Sequence, residues 1–254
     1  MTNKTFIQSI VFLSLLLVSS ISSAATTLVA VAANFTKPMT EIASEFEKAT
    51  GHTAKLSFGS SGKFVAQMEN GAPFEVFLSA DESNPIKLEQ SGVVVSGSRF
   101  IYALGKLVLW SATPGLVDDQ GKVLGSGSFK HLALADPKLA PYGVAALEVL
   151  KNLGLIEKLQ PLLVLGENIA QTQQFVSTGN AELGFIALSQ VSENGKITSG
   201  SAWIVPADRY APTKQSAVLL TLGAENPAAS ALIAYLKSAP ALAIIQKYGY
   251  DLPK

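Results

Sequence analysis

The strongest constraint on the fold of this chain is the segment of residues 28–51, LVAVAANFTKPMTEIASEFEKATG, in which an apolar run leads through a polar corner into an amphipathic helix. Residues 28–33 are apolar without alternation, which is typical of a parallel strand covered on both faces. Beyond Asn34, apolar residues recur at helical spacing, Pro38 suits a first turn, and Gly51 stands where a glycine commonly ends a helix. The segment therefore predicts a strand, a tight corner and a helix.

The same unit recurs along the chain. Further polar corners, each after a predicted strand and before a predicted helix, lie at residues 59–62, 79–81, 141–143 and 166–169. Strands that alternate with helices in this way predict an α/β protein with parallel sheets.

Two segments indicate that the chain forms two lobes. Residues 100–110 have a longer strand pattern that suits a segment passing from one lobe to another, and residues 214–222 have the pattern of a strand that returns. About 230 residues remain after the N-terminal segment discussed next, a length that allows two small domains. The expected lobes are residues 25–104 together with 217–254, and residues 105–216.

The first 24 residues predict a secretory signal peptide, which is not part of the fold. Lys4 is the only charged residue before a long apolar stretch, residues 6–18, and Ser22 and Ala24 are small residues at positions −3 and −1 of a cleavage site. Cleavage after Ala25 fits nearly as well. No other stretch is apolar for the roughly 18 residues that a membrane span requires. We therefore expect an exported protein that does not insert into the membrane.

Composition argues against several classes of protein. The chain has no cysteine, which excludes a disulfide framework, thiolate metal sites and a lipid-anchored N-terminal cysteine. His52 and His131 are the only histidines, and neither has the spacing of a metal ligand. Without Lys4 the chain has 18 basic and 19 acidic residues, a net charge of −1, and no run of like charge. A nucleic-acid or anionic-membrane partner is therefore not expected.

Enzyme motifs are not met either. Residues 59–63, GSSGK, are too short for a nucleotide-binding phosphate loop, and Phe64 stands where that loop needs Ser or Thr for the metal. The chain contains no G-x-S-x-G nucleophile elbow. A secreted hydrolase would need a nucleophile, a base and an oxyanion hole, whereas an adhesion module would not need polar corners at successive strand ends. We expect no enzyme activity, no cofactor and no metal site.

The polar corners are the candidates for a binding site. A helix N-terminus presents unpaired N–H groups and the positive end of the helix dipole, so a corner between a strand and a helix suits an anion. Open α/β sheets bind their ligands at this edge. Asn34 and Thr36 are also ordinary helix-cap residues, so residue types alone leave a purely structural role open.

The segments at these corners resemble those of a known family. They are VAVAANFTKPM, SFGSSGKF, FLSAD, ADPKLAPYGVAALEVLKNLG, GENIAQ, ELGFIALS and the terminal KYGYDLPK. No single segment is decisive, but their order and spacing over essentially the whole mature chain resemble the periplasmic molybdate-binding proteins of ABC importers.

This resemblance implies the type II periplasmic-binding-protein fold, an α/β fold of two lobes joined by crossing strands with a ligand cleft between them. It implies a monomer that binds a tetrahedral oxyanion, molybdate and also tungstate, and delivers it to the membrane subunits of an ABC importer. Carried over by position, the anion-binding residues are Ala33, Asn34 and Ser61 from the first lobe and Tyr142 and Ile169 from the second. The alternative is a binding protein for another oxyanion, such as sulfate or phosphate, or for a small carboxylate.

The sequence departs from the commonest pattern of the family at three positions. Many members have Ser in place of Asn34, a small residue in place of Tyr142, and Tyr in place of Ala187. The combination found here resembles a branch in which Asn and the Tyr of a Pro-Tyr-Gly corner donate instead. This leaves Ala187 outside the predicted site.

The expected site needs no charged residue. The Asn34 amide, the Ser61 and Tyr142 hydroxyls and N–H groups at helix starts would hold the oxyanion, and donors of this kind favour a fully ionised dianion over one that retains a proton. Cavity size would separate molybdate or tungstate from the smaller sulfate. We expect Lys63 to lie solvated at the rim and to attract anions from a distance.

Overall fold

The structure, a computed structural model, describes residues 24–253. The predicted signal peptide lies outside these residues except for its last residue, Ala24. The strands are β1 Thr26–Ala32, β2 Thr53–Gly59, β3 Val76–Ser79, β4 Phe100–Gly105, β5 Leu107–Ser111, β6 Leu132–Ala135, β7 Leu163–Gly166, β8 Leu183–Ala187, β9 Ser192–Glu193, β10 Lys196–Ile197, β11 Ser201–Ile204 and β12 Thr213–Leu219.

The helices follow the predicted alternation closely. They are α1 Thr36–Thr50, α2 Ser61–Glu69, α3 Ser83–Gln90, α4 Val123–Ser126, α5 Pro141–Asn152, α6 Ile156–Leu159, α7 Ile169–Ser177, α8 Leu188–Val191, α9 Pro227–Tyr235 and α10 Ala239–Lys247. A single 3-10 turn, Ala33–Phe35, joins β1 to α1. Gly51 ends α1 with φ of 73°, the left-handed conformation that its position in the sequence predicted.

Two five-stranded sheets form the two lobes. The first lobe has the strand order β2-β1-β3-β12-β4, and the second has β11-β5-β8-β6-β7. Three strands in each sheet are parallel, β1 with β2 and β3, and β6 with β7 and β8. The other strands run antiparallel to their neighbours. The prediction of parallel sheets is therefore wrong for β12 and β5, which run opposite to the parallel strands of their sheets and lie where the chain crosses between the lobes.

The chain crosses between the sheets twice. β4 pairs in the first sheet and β5 in the second, and only Lys106 separates them. The strand pattern of residues 100–110 is thus two strands, one in each lobe. The return passes from β11 in the second sheet to β12 in the first.

Each lobe has its own hydrophobic core. In the first lobe, the apolar stripe of α1 packs on one face of the sheet, and Met39, Ile42 and Phe46 are fully buried together with residues of α9 and α10. Burial of such side chains stabilises the fold by about 1.5–3 kcal/mol each. Phe64 and Met68 of α2 pack on the other face of this sheet. The helices are thereby fixed with their first turns at the carboxyl ends of the parallel strands.

No single helix within residues 24–253 is long and apolar enough to cross a membrane, although the bent pair of α9 and α10, which meet at 62°, passes the same test of length and composition when taken together.

Candidate functional site

A small cavity lies where the carboxyl ends of β1, β2 and β3 meet the first turns of α5 and α7. It therefore has one wall from each lobe. All five predicted residues line it, namely Ala33, Asn34, Ser61, Tyr142 and Ile169. The other lining residues are small or neutral: Ala32, Gly59, Ser60, Ala80, Ala140, Pro141 and Asn168. The cavity is small, about 10 Å³, and residues of both lobes enclose it.

Each predicted residue lies at the start of a helical turn. Ala33 and Asn34 form the 3-10 turn after β1, Ser61 and Ile169 are the first residues of α2 and α7, and Tyr142 is the second residue of α5. First-turn N–H groups have no intrahelical acceptor. Within residues 24–253, the N–H groups of these five residues meet no other backbone acceptor. Helix starts from both lobes therefore direct unpaired donors at one small space.

The N-cap of α7 leaves one backbone N–H group of the helix without a partner. The side chain of Asn168 accepts from the N–H groups of Ala170 and Gln171, at 3.0 and 3.1 Å. The cap thus pairs the second and third N–H groups of the helix and leaves the first, that of Ile169, unpaired.

Ser61 contributes a hydroxyl as well as its N–H. Its Oγ accepts from the N–H of Ala80 at 3.0 Å, and the side chain is 1% exposed. Since a serine hydroxyl has one proton to donate, this contact leaves the proton free. Ser61 is therefore able to donate to a ligand in the cavity.

Tyr142 has a similar arrangement in the second lobe. Its hydroxyl oxygen accepts from Gln215 Nε2 at 3.1 Å. Burial raises the pKa of the Tyr142 hydroxyl well above its usual range, with a smaller contribution from neighbouring tyrosines such as Tyr250. The hydroxyl consequently keeps its proton at neutral pH, and the contact with Gln215 leaves that proton available.

Asn34 differs from the expectation. Its side-chain amide hydrogens donate within the protein, to Gln215 Oε1 at 2.9 Å and to the Tyr250 hydroxyl at 2.8 Å. The backbone carbonyl oxygen of Asn34 accepts from Ser189 Oγ at 2.8 Å. The group of Asn34 that has no protein acceptor is the backbone N–H, so the amide is a structural group that holds the turn in place.

Sequence reasoning missed this buried polar network around Asn34. Tyr102, Ser189, Gln215 and Tyr250 are all at least nine-tenths buried, and they belong to separate parts of the chain. No local motif links them, and only two of them fall in the segments that carry the family resemblance, Ser189 in ELGFIALS and Tyr250 in KYGYDLPK. Burial raises the pKa of Tyr250 to about 12, so this hydroxyl is also neutral at physiological pH.

Contacts across the cleft hold the lobes together around the cavity. The N–H of Gly62 in α2 donates to the carbonyl of Leu139 before α5, at 3.0 Å. Lys63 Nζ lies 2.7 Å from Glu167 Oε2, between α2 and the loop before α7. Lys63 thus lies partly exposed at the rim, as predicted, and its ammonium group in addition pairs with the opposite lobe.

Ala187 does not line the cavity. Ala187 is fully buried at the end of β8, and its N–H donates to Gln190 Oε1 at 2.9 Å. No group of three or more His, Cys, Asp or Glu within residues 24–253 is placed to hold a metal ion. The walls offer uncharged hydrogen-bond donors, a set suited to an anion.

Comparison with known proteins gives the family. The family model described as bacterial extracellular solute-binding protein matches residues 27–251, nearly all of the described chain. The chain belongs to this family of solute-binding proteins.

Curated relatives of this solute-binding protein are similar over most of their length. The molybdate-binding protein ModA of Azotobacter vinelandii is 60% identical over 236 residues, which cover 93% of this chain and 94% of the relative. The molybdate-binding protein ModA of Rhodobacter capsulatus is 55% identical over 229 residues, 90% of this chain and 89% of the relative.

A solved structure confirms the predicted fold of this solute-binding protein. The periplasmic molybdate-binding protein of Azotobacter vinelandii superimposes with a TM-score of 0.87 and 45% identity, covering 90% of this chain and all of the other. The two α/β lobes with mixed sheets are therefore those of a periplasmic binding protein.

Proposed function

We propose that this protein captures molybdate in the periplasm and presents it to an ABC importer. The observation that supports this most directly is the composition of the cavity walls, where uncharged donors from both lobes converge on a space for a small ligand. The molybdate-binding relatives are 60% and 55% identical to this chain over 93% and 90% of its length, which favours the same ligand.

The proposed ligand contacts are five residues in two groups. The first lobe provides the backbone N–H groups of Ala33 and Asn34 and both donors of Ser61. The second lobe provides the Tyr142 hydroxyl and the N–H of Ile169. Charge-assisted hydrogen bonds from such donors are about twice as strong as neutral ones, and the helix dipoles add favourable potential.

The uncharged cavity walls would also select between anions by their protonation state. A fully ionised tetrahedral dianion accepts from every donor, whereas an anion that retains a proton needs an acceptor for it. Tungstate has the same charge and shape as molybdate, so we propose that it binds as well. The alternative ligand is sulfate, which is also a dianion at neutral pH, and only the fit of the cavity separates it.

We also propose that the protein is exported. The signal peptide is removed after Ala24 or Ala25, and the mature protein works as a monomer without catalytic activity, cofactor or bound metal cation. The proposed lobes are residues 25–104 with 217–254, and residues 105–216, so that their boundaries lie within the crossing strands β4 and β12. N-terminal sequencing of periplasmic protein tests the export, and a mature chain that begins at Met1 would refute it.

Calorimetric titration of the mature protein tests the ligand. Molybdate and tungstate are expected to bind tightly at one site per chain, with sulfate and phosphate at least about 100-fold weaker, a difference of about 2.7 kcal/mol. Tighter binding of sulfate would transfer the assignment to the alternative. No binding of any tetrahedral oxyanion would refute the proposal.

A further inference from the structure

Gln215 is fully buried next to the cavity without lining it. It lies in β12, one of the strands that connect the lobes, and no sequence motif indicates a role for it. Its side chain contacts Asn34 of the first lobe and Tyr142 of the second, which are proposed ligand contacts on opposite walls. It is therefore placed to act on both walls at once.

The groups around Gln215 fix the orientation of its amide. Oε1 accepts from Asn34 Nδ2 at 2.9 Å and lies 2.9 Å from the Tyr102 hydroxyl. A carboxamide has its acceptor on one side and its donors on the other. Nε2 consequently faces Tyr142 and donates to the hydroxyl oxygen at 3.1 Å.

Asn34 is itself held in one orientation. The Tyr250 hydroxyl lies 2.9 Å from the backbone carbonyl oxygen of Asn34 and 2.9 Å from Ser189 Oγ. The single proton of Tyr250 goes to one of these two acceptors. The Tyr250 oxygen therefore accepts from the side chain of Asn34, from Nδ2 at 2.8 Å. This places the NH₂ of Asn34, with its second hydrogen, toward Gln215. The chain of donors then has one direction, from Asn34 through Gln215 to Tyr142.

The direction of these hydrogen bonds determines whether the Tyr142 hydroxyl donates or accepts a hydrogen bond in the cavity. A hydroxyl that accepts from an amide keeps its own proton for another partner. With the Gln215 amide reversed, Tyr142 would give its proton to Oε1 and turn a lone pair toward an anion, which repels it. A rotatable hydroxyl without the Gln215 contact would have to be ordered when the ligand binds.

We propose that Gln215 is a positioning residue for anion binding, which sets the Tyr142 hydroxyl as a donor to the ligand and ties that setting to Asn34 in the opposite lobe. The inference rests on the proposed function, since it concerns how the same cavity holds an oxyanion. Gln215 acts through Tyr142 and does not touch the ligand.

A double-mutant cycle of Gln215→Met and Tyr142→Phe, with molybdate as the titrant, tests this coupling. Gln215→Met is expected to weaken binding by roughly 5- to 30-fold in the wild-type background and by less than about 2-fold in the Tyr142→Phe background. Equal losses in the two backgrounds would overturn the inference. Failure of the wild type to bind molybdate would instead refute the proposed function, so the two failures are distinguishable.

Tyr102→Phe is the matched control. It removes another hydroxyl from the same amide but leaves Asn34 as a donor to Oε1, so the melting temperature is expected to fall while molybdate affinity stays within about 3-fold of wild type. A loss of affinity as large as that of Gln215→Met would mean that any damage to the network acts alike, and would overturn the specific role of Gln215.

A measurement on the wild-type protein covers the case in which Gln215→Met fails to fold. Nuclear Overhauser contacts between the side-chain NH₂ of Gln215 and the ring protons of Tyr142 are expected in the molybdate-loaded protein. Contacts of that NH₂ with Tyr102 alone would show the reversed amide and overturn the inference.

Discussion

Lys63 Nζ and Glu167 Oε2 lie 2.7 Å apart and join the two lobes at the edge of the cleft. Both side chains are nearly half exposed, at 43% and 47%. Exposed ion pairs contribute about 0.2–1 kcal/mol and are screened by salt. The pair therefore contributes only a small part of the free energy that holds the two lobes together.

Glu167→Gln tests this pair. We expect molybdate affinity to fall by less than about fivefold and to become less sensitive to salt, because the lost interaction is exposed and favours closure. Isothermal titrations at low and high salt measure both effects. Glu45→Gln is the matched control, since Glu45 pairs with Lys48 at the same 2.7 Å but within α1. The same change in both variants would show that the position of the pair across the cleft is irrelevant.

Ser61→Ala removes one proposed ligand donor and keeps the helix start. The hydroxyl also accepts from the N–H of Ala80, so a small loss of stability is expected too. We expect molybdate affinity to fall by about 1.5–3 kcal/mol, the range for a hydrogen bond to a charged group. Ser238→Ala removes a cap hydroxyl at α10, remote from the cavity, and should leave affinity unchanged. Unchanged affinity in Ser61→Ala would show that the Ser61 hydroxyl only bonds to Ala80 and does not bind the ligand.

Because the proposed ligand donors are divided between the two lobes, we expect the lobes to close on the ligand, and Gly62 tests this closure. A Cβ atom on Gly62 would lie 2.9 Å from the carbonyl oxygen of Leu139 in the opposite lobe. Gly62→Ala is therefore expected to weaken molybdate binding and to reduce the decrease in radius of gyration that small-angle scattering should show when the wild type is loaded. Gly125→Ala is the control, because a Cβ there has open space. A wild-type radius that does not change at saturating molybdate would contradict closure.

The pH dependence follows from the buried tyrosines. No lining residue carries a formal charge, so affinity should be constant between about pH 6 and 9. Burial raises the pKa values of Tyr102, Tyr142 and Tyr250, which means that the folded state favours the protonated form. The stability from these groups is present below the ordinary tyrosine pKa of about 10 and is lost as pH rises toward the folded-state values. Urea titrations from neutral to alkaline pH should show this decline, and a decline that begins near pH 7 would refute the assignment.

The sequence predicted the elements of the fold because local patterns determine them. The corner at Asn34 and the glycine end of α1 depend on residues within one turn, and both were found where expected. Antiparallel pairing of β12 with β3 and β4 depends on how the chain crosses between lobes, which no local pattern records. Residues 100–110 have one continuous strand pattern although their two halves belong to different sheets.

The site was predictable in its positions and less so in its contacts. Family resemblance placed five residues that the fold brings to one cavity. The partners of Asn34, however, are Gln215 and Tyr250, which lie 181 and 216 residues away along the chain. Gln215 lies among the polar residues Lys214 and Ser216 in the first half of β12, so no local pattern distinguishes it until the fold shows what surrounds it.

A crystal structure of the mature protein loaded with molybdate, phased on the anomalous signal of molybdenum, tests the account most directly. We expect one strong peak in the cavity, with oxygen atoms about 2.7–3.1 Å from the Ser61 and Tyr142 hydroxyls and from the N–H groups of Asn34 and Ile169. A peak outside the cavity, or oxygen atoms bound by donors of one lobe alone, would contradict the account.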